Sequence, residues 1–391
     1  MMSVWSSLVG QDAAVAKLSE AAASARAIVA SRGSGHATDE ARSMSHAWLI
    51  TGPPGSGRSV AARAFAAALQ CTGETPGCGQ CPGCRTTMGR TNADVLFAAT
   101  ETSIINVETA RSLVLQAQSS PSQGLWRVIV VEDADRLGES GANALLKAIE
   151  EPPEHTVWLL CAPSPEDMIA TIRSRCRHLG LRIPTATAVA DLLVREGVAT
   201  PEVALEAARA AQSHIGLARA PARDPQMRER GRNIITAPAS VRSVGEAVMA
   251  ADRLLETAKA QADAQVADRN AREKADLLRQ LGMEEGESAT KASRAMLRQL
   301  EEDQKRRSKR ALTDAIDRAL IDLLAIYRDV LMIQVGGDGE LINTDLTDLV
   351  HQIAQDSTPR QTLARVDHIE TARKRLVSNG NPLLVLEDMA I

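Results

Sequence analysis

Two short stretches carry residues whose types and spacing could do chemistry. In "GPPGSGRS", Gly52 to Ser59, the glycines are spaced as in a loop that offers backbone N–H groups and a helix N-terminus to phosphate oxygens. The general pattern G-x-x-x-x-G-K-[ST] would place a compact ammonium at position 58 and a magnesium-holding hydroxyl at 59. The chain has Arg58 and Ser59 there. A guanidinium keeps the charge and changes the shape, so Gly52, Gly55, Gly57, Arg58 and Ser59 are expected to form a degenerate nucleotide site, with ATP binding weak or absent. The second stretch, "VIVVEDAD", follows an apolar run with Glu132, Asp133 and Asp135. An acidic pair after a strand can hold magnesium and orient water, but here the usual Asp-then-Glu order is reversed, and positioning is most of what phosphoryl transfer asks of a protein. Glu132 and Asp133 are therefore read either as altered nucleotide-site groups or as solvated acids in an inherited turn.

Cys71, Cys78, Cys81 and Cys84 fall in "CTGETPGCGQCPGC" with the spacing C-x6-C-x2-C-x2-C. Four thiolates on Gly- and Pro-rich turns can close a tetrahedral zinc site, and the lack of histidine among them points to a structural one. Free thiols or local disulfides are the alternatives, and in a reducing compartment the spacing favours zinc. Cys161 and Cys176 lie in other patterns and are left out of the set. In "PEDMIATIRSRCRHL", Arg173, Arg175 and Arg177 surround Ser174 and Cys176. An arginine so placed can reach a neighbouring subunit's nucleotide, yet three surface arginines on a short helix would read the same way, and the residues alone favour the second account.

These residues need elements to hold them. "AWLIT", "DVLFAAT", "WRVIVVEDAD" and "TVWLLCAP" are short apolar runs alternating with helical patterns, the signature of a parallel sheet with crossover helices. They predict an α/β domain over 1–183. A small helical domain is expected over 184–236, where helical patterns are broken by a Gly-Val-Ala-Thr-Pro turn. An all-α domain should follow over 237–391, with a stripe at Leu312, Ile316, Leu320, Leu323, Tyr327 and Val330. Within it, 257–311 is rich in charge and contains "EEDQKRRSKR"; it is read as a solvated helical excursion or a partly disordered insert.

Composition limits the function further. A chain of 391 residues is expected to form two or three domains. A net charge of -4 argues against a general trap for nucleic acid or anionic membrane. Aromatics at 2% are too few to build a stacking platform for single strands, which counts against a zinc-dependent nucleic-acid binder acting alone. No basic-then-apolar leader and no long uncharged apolar run is seen, so a cytoplasmic protein is expected.

Taken together, "GPPGSGRS", the four-cysteine stretch after the first helix, "VVEDADRLGESGANALLKAIEEPPEHTVWLL" and Ser174-Arg175-Cys176 resemble the bacterial DNA polymerase III clamp loader, an AAA+ family. The resemblance covers about the first 220 residues well and the remainder weakly. Within the family, an altered phosphate loop beside an intact Ser-Arg-Cys looks like the delta-prime type, and the competing reading is the gamma/tau type that hydrolyses ATP. The resemblance implies an α/β P-loop AAA+ module, a small helical lid and an all-α collar that joins five subunits in a ring. It implies that Arg175, with Ser174 and Cys176, completes the ATP site of an adjacent gamma/tau subunit, while Arg173 and Arg177 remain surface residues. Arg219, in "GLARA", stands where related ATPases keep a nucleotide-sensing lid arginine, and Ala162 and Pro163 stand where they keep a polar sensor. Implied partners are the gamma/tau and delta subunits, the sliding clamp and primer-template DNA, with no membrane. Helix "NALLKAIEE" is expected to pack through Ala142, Leu145, Leu146 and Ile149 and to end at Pro152 and Pro153.

Overall fold

Alternation decides how the sheet is built. In the computed structural model, β1 (Ala47–Thr51), β2 (Val95–Ala98), β3 (Arg127–Val131), β4 (Thr156–Ala162) and β5 (Arg177–Gly180) form one sheet in the order β2-β3-β4-β1-β5. All four pairings are parallel. Both β1 and β4 are buried at every residue, which explains why their sequences are nearly continuous apolar runs. Trp48, Ile50, Val128, Val130, Val157, Leu159 and Cys161 face one core. Their neighbours in sequence, Ala47, Leu49, Ile129, Val131, Trp158, Leu160 and Ala162, face the other. The first core is closed by α1 (Asp12–Ala30) and α2 (Arg58–Leu69), where Phe65 meets Trp48 edge to face with centroids 5.3 Å apart. The Cys81-capped α3 (Pro82–Met88) follows α2. The second core is closed by α4 (Val107–Ala117), α5 (Glu139–Glu150) and α6 (Ala170–Arg173). Ala142, Leu145 and Ile149 are buried under α5 as the helical pattern requires, with Leu146 half-buried at their edge.

The described residues are 3–31, 43–98, 105–211, 213–224, 236, 241, 243–281, 291–337, 341–343, 346–378 and 380–391. They group into two units, Met1–Arg223 and Asp224–Ile391. The end of "DVLFAAT" and the expected domain limit at 236/237 fall on or beside residues outside the described set. Strand β5 was not foreseen: only Leu179 of its four residues is buried, so no apolar run announces it. In the first unit α7 (Ala186–Arg195), α8 (Pro201–Ala210) and α9 (Ile215–Arg223) share a separate small core of Val189, Leu193, Ala204, Ala207 and Ala218. The turn between α7 and α8 uses Gly197 at φ +68°, and Pro201 opens α8.

The second unit is helical among its described residues: α10 (Val244–Gln280), α11 (Lys291–Gln334), α12 (Thr347–Asp356), α13 (Pro359–Val377) and α14 (Pro382–Ala390). The expected stripe lies on α11, with Ile316, Leu320, Leu323, Tyr327 and Val330 buried and Leu312 half-buried beside them. The charged stretch from 257 is helical wherever it is described, on the long arms of α10 and α11. Ala262, Val266 and Ala311 pack between the arms, and the Arg307 guanidinium donates to Asn270 Oδ1 at 2.6 Å and Glu273 Oε2 at 2.8 Å. Residues 282–290 of that stretch lie outside the described set.

Candidate functional site: a closed phosphate loop and an exposed arginine

The loop Gly52–Gly57 joins the end of β1 to the start of α2, as the strand–loop–helix pattern requires. Gly55 is needed twice over: its φ is +90°, and a Cβ there would stand 3.1 Å from His214. Gly57 caps α2 in the left-handed region, also at φ +90°. Gly52 turns inward, where a Cβ would fall 2.5 Å from Ser56 Oγ. Arg58 does not extend over the loop. Its Nη1 donates back to the Gly52 carbonyl, so the side chain that should meet outer phosphates is spent on the loop's own backbone. Ser59 is half-buried on the first turn of α2.

The acidic turn lies at the same edge of the sheet, after β3. Glu132 is 13% exposed and pairs with Arg90, whose guanidinium also lies 5.0 Å from the Phe97 ring centroid. Burial pushes the Glu132 carboxyl up, with Arg90 opposing and Asp133 adding to the rise. Asp133 caps a short 3₁₀ turn, Ala134–Arg136, and burial likewise raises Asp135. Ala162 is the register partner of Thr51, and the next carbonyl, Pro163 O, accepts from Gly52 N at 3.1 Å. That position thus serves the loop through its backbone alone. Arg219 is engaged as well, its Nε and Nη2 donating to Glu196 at 3.0 and 2.7 Å.

Two residues at this edge gave no sequence signal. Buried Gln11 donates through Nε2 to the carbonyls of Ser56, 3.2 Å away, and Arg182, 2.5 Å away, and accepts from Arg182 N at 3.2 Å. It ties the loop to the chain leaving β5. Arg63, on α2, has a buried Nε without a partner among the described residues, and its pKa is lowered by burial first and by nearby Arg90 next. A glutamine in a surface-like start and an arginine in a helix carry no spacing that would have marked them.

Arg175 lies elsewhere. The structure corrects the expectation of three arginines on one helix: only Arg173 is on α6, Arg175 is in the turn that follows, and Arg177 opens β5. Arg177 is more than a surface residue, since its guanidinium lies 5.0 Å from the Trp48 ring centroid and donates to Ser43 O. Ser174 caps α6 and Cys176 is half-buried against the second core. Because the strands are parallel, the residue before β5 and the loop after β1 stand at opposite edges of the sheet. Trp48 and Arg177 are register partners, so about 13–20 Å of strand separates Arg175 from Gly52. The Arg175 side chain is 39% exposed and pairs with Glu150, the last residue of α5.

The four cysteines converge. All four sulfurs lie within 4.8 Å of one another, and none is in a disulfide. Cys71 and Cys81 sulfurs are 3.8 Å apart, which is the edge of a tetrahedron with metal–sulfur bonds of about 2.3 Å. The donor set therefore fits a tetrahedral metal ion. The loop is built for this approach: a Cβ on Gly73 would stand 2.8 Å from Cys78 Sγ. It is held from outside by Arg26, which donates to Cys71 O at 2.9 Å and Glu74 O at 2.6 Å, and by Val4 N and Ser3 Oγ, both 3.0 Å from Gly77 O. Burial pushes the Cys81 thiol up, but the N–H groups of Cys84 and Thr72 outweigh it and bring the value down to about 6. Burial and the neighbouring sulfurs push Cys84 up. A dication at the centre would hold all four as thiolates.

A parallel sheet with a phosphate-type loop after β1, an acidic turn after β3 and helices on both faces defines a P-loop AAA+ module with a helical C-terminal region. Residues 36–185 match the family described as "DNA polymerase III, delta subunit". The DNA polymerase III subunit gamma/tau of Mycobacterium bovis is 35% identical over 162 residues, 40% of this chain and 28% of that protein. The subunit delta' of Pseudomonas aeruginosa is 34% identical over 165 residues, 41% of this chain and 50% of that protein. The subunit delta' of Yersinia pestis is 38% identical over 144 residues, 36% and 42% of the two chains. The matched stretch is thus half or less of each of these relatives. Over that stretch the chain is similar to subunits of the DNA polymerase III clamp loader. Both subunit types appear among the relatives, so the type rests on the site.

Proposed function

We propose that this chain is a delta-prime-type subunit of the replicative clamp loader, which does not hydrolyse ATP itself and supplies Arg175 to the ATP site of a neighbouring gamma/tau subunit. The observation that carries the reading is the placement of Arg175 at the sheet edge opposite its own phosphate loop. An arginine there cannot serve its own nucleotide, and it is exposed for another. The closed loop supports the same reading: Arg58 is turned onto Gly52 O, Glu132 is paired to Arg90, and Arg219 is paired to Glu196. In this reading Gly52, Gly55, Gly57, Arg58, Ser59, Glu132, Asp133 and Arg219 are a retained scaffold with weak or no ATP binding. Cys71, Cys78, Cys81 and Cys84 hold a structural zinc ion, which would fix the segment between α2 and β2. The helical second unit serves as the collar that assembles with gamma/tau and delta subunits, and the complex loads the sliding clamp on primer-template DNA in the cytoplasm. Among the described residues no helix is long and apolar enough to cross a membrane.

The test is Arg175→Ala in a complex reconstituted with gamma/tau and delta subunits, sliding clamp and primed DNA. Assembly should be intact by gel filtration, and stimulated ATP hydrolysis at the site this subunit completes should be lost. Wild-type hydrolysis in that complex would remove the assignment. The gamma/tau-type alternative would instead require ATP turnover by the isolated chain.

A further inference from the structure

Arg175 is gripped on both flanks of its guanidinium. Nε donates to the Glu150 carboxylate on one side; on the other, Nη1 donates to Thr171 O at 2.8 Å and Ser174 Oγ at 3.2 Å. Nη2 has no partner among the described residues. The planar fork is thereby fixed in orientation, with Nη2 at its outer end uncommitted. Thr171 and Ser174 belong to α6 and its cap, so their hold is local. Glu150 comes from a different element, 25 residues earlier, and its place there runs against helix electrostatics: it is the last residue of α5, where the carbonyl end of the helix disfavours a carboxylate. The helix that presents it is rigid, with Ala142, Leu145 and Ile149 fully buried. A side chain that breaks a local rule on a rigid element, and whose one polar partner among the described residues is an exposed arginine, is a candidate for function ahead of stability.

We infer that Glu150 is the positioning residue for Arg175, holding the guanidinium plane so that its outer edge is delivered to a phosphate of the neighbouring subunit's nucleotide. The inference rests on the reading of Arg175 as a group acting in trans. Glu150 itself touches no nucleotide. Its contribution is orientational: without it, Arg175 keeps its charge and its hold on Thr171 O but rotates about the bonds that Glu150 restrains. A pair this exposed adds little to folding, so its removal should leave the fold unchanged while loosening the geometry on which transition-state stabilisation depends.

The experiment uses the full chain in the reconstituted complex with clamp and primed DNA, with turnover measured across ATP concentration for wild type, Glu150→Ala, Glu150→Gln and Arg175→Ala. Glu150→Ala should lower kcat about tenfold with KM within about twofold of wild type, the pattern of an interaction that matters in the transition state. Glu150→Gln keeps an acceptor for Nε and should recover most of the rate, which a merely structural role would not predict. A Glu150→Ala complex as fast as wild type or faster overturns the inference, the faster result meaning that Glu150 sequesters the arginine. A Glu150→Gln complex as slow as Glu150→Ala overturns it too. Arg175→Ala separates the two levels: if it abolishes stimulated turnover while Glu150→Ala does nothing, only the role of Glu150 falls, and if it also does nothing, both fall together.

Discussion

The two edges of the sheet in the first unit treat charge in opposite ways. At the edge where the strands end, the cations and anions near the glycine-rich loop are consumed internally: Arg58 on a loop carbonyl, Glu132 on Arg90, Arg219 on Glu196. At the edge where the strands begin, Arg175 is held by its flanks with Nη2 left over among the described residues. One fold therefore turns the side chains of its glycine-rich loop onto its own backbone and neighbours, and at the opposite end of the strands leaves an arginine side chain exposed. The glycines survive in the closed loop for reasons of their own: Gly55 must admit His214 and Gly52 must admit Ser56. A phosphate-loop pattern thus reports backbone packing as well as catalysis, and only the side chains tell the two apart.

The comparison breaks most sharply if the two edges are disabled in parallel. Arg175→Ala should reduce hydrolysis at the served site by about 10³ or more, equivalent to about 4 kcal/mol of barrier. Arg58→Ala, in the same assay, should stay within about twofold of wild type. Equal losses from both would mean that the closed loop takes part in turnover.

Next in size is the metal. One zinc ion per chain by atomic spectroscopy is expected, with a drop in Tm on chelation or in Cys81→Ser that corresponds to at least about 3 kcal/mol, because structural sites contribute folding energy directly. The isolated four-cysteine turn also connects α2 to the sheet, so far-ultraviolet circular dichroism should show helix loss in the same samples. A metal-free chain with unchanged Tm would reduce the cluster to four packed thiols.

A smaller effect sits beside β2. Asp94 is fully buried and accepts from Ser122 N, Gln123 N and Gly124 N at 2.6, 2.7 and 2.6 Å. Burial alone would raise its pKa; the three N–H groups outweigh burial and hold it below the usual carboxylate value. Its contribution is therefore fully present above the unfolded value of about 3.9 and is lost as pH falls through the lower folded value. Asp94→Asn should cost about 2 kcal/mol near neutral pH, and the Tm gap to wild type should close as pH falls below the ordinary carboxylate value of about 3.9. A gap that stays constant on acidification would assign the loss to packing.

What the sequence disclosed follows from how each feature is encoded. Strands β1, β3 and β4 were legible because burial on both faces writes an uninterrupted apolar run, and the convergence of the four cysteines because they stand at short spacings in sequence. The loop was legible as a pattern, but the backward turn of Arg58 was not, since composition does not say which acceptor a guanidinium will choose. β5 was missed because an edge strand with one buried residue leaves no periodicity, and this misplaced Arg177 as well. Gln11 acts through a hydrogen bond to Arg182, 171 positions away, and Arg63 lies near the charges of Arg90 and Glu132, which no local window contains. The expectation for Arg175 came from resemblance, and only the parallel register of β1 and β5 places it at the far end of the strands from the loop of its own chain.

The smallest effect probes the loop alone. Arg58→Lys restores the usual residue type, and a lysine, with a compact ammonium and no fork to donate back across the turn, should release the Gly52 carbonyl. Affinity for a fluorescent ATP analogue with magnesium, titrated on the isolated metal-loaded chain, should then rise by up to about tenfold, or ~1.4 kcal/mol. Turnover should remain undetectable, because Glu132 still answers to Arg90 and position 163 still offers only a backbone carbonyl. Binding without turnover would show that charge placement, one residue deep, is what closes the loop while the loss of catalysis is distributed over several residues. Turnover restored by that single change would show the opposite, that Arg58 alone separates this edge from a working ATPase, and the contrast between the two edges would shrink to one side chain.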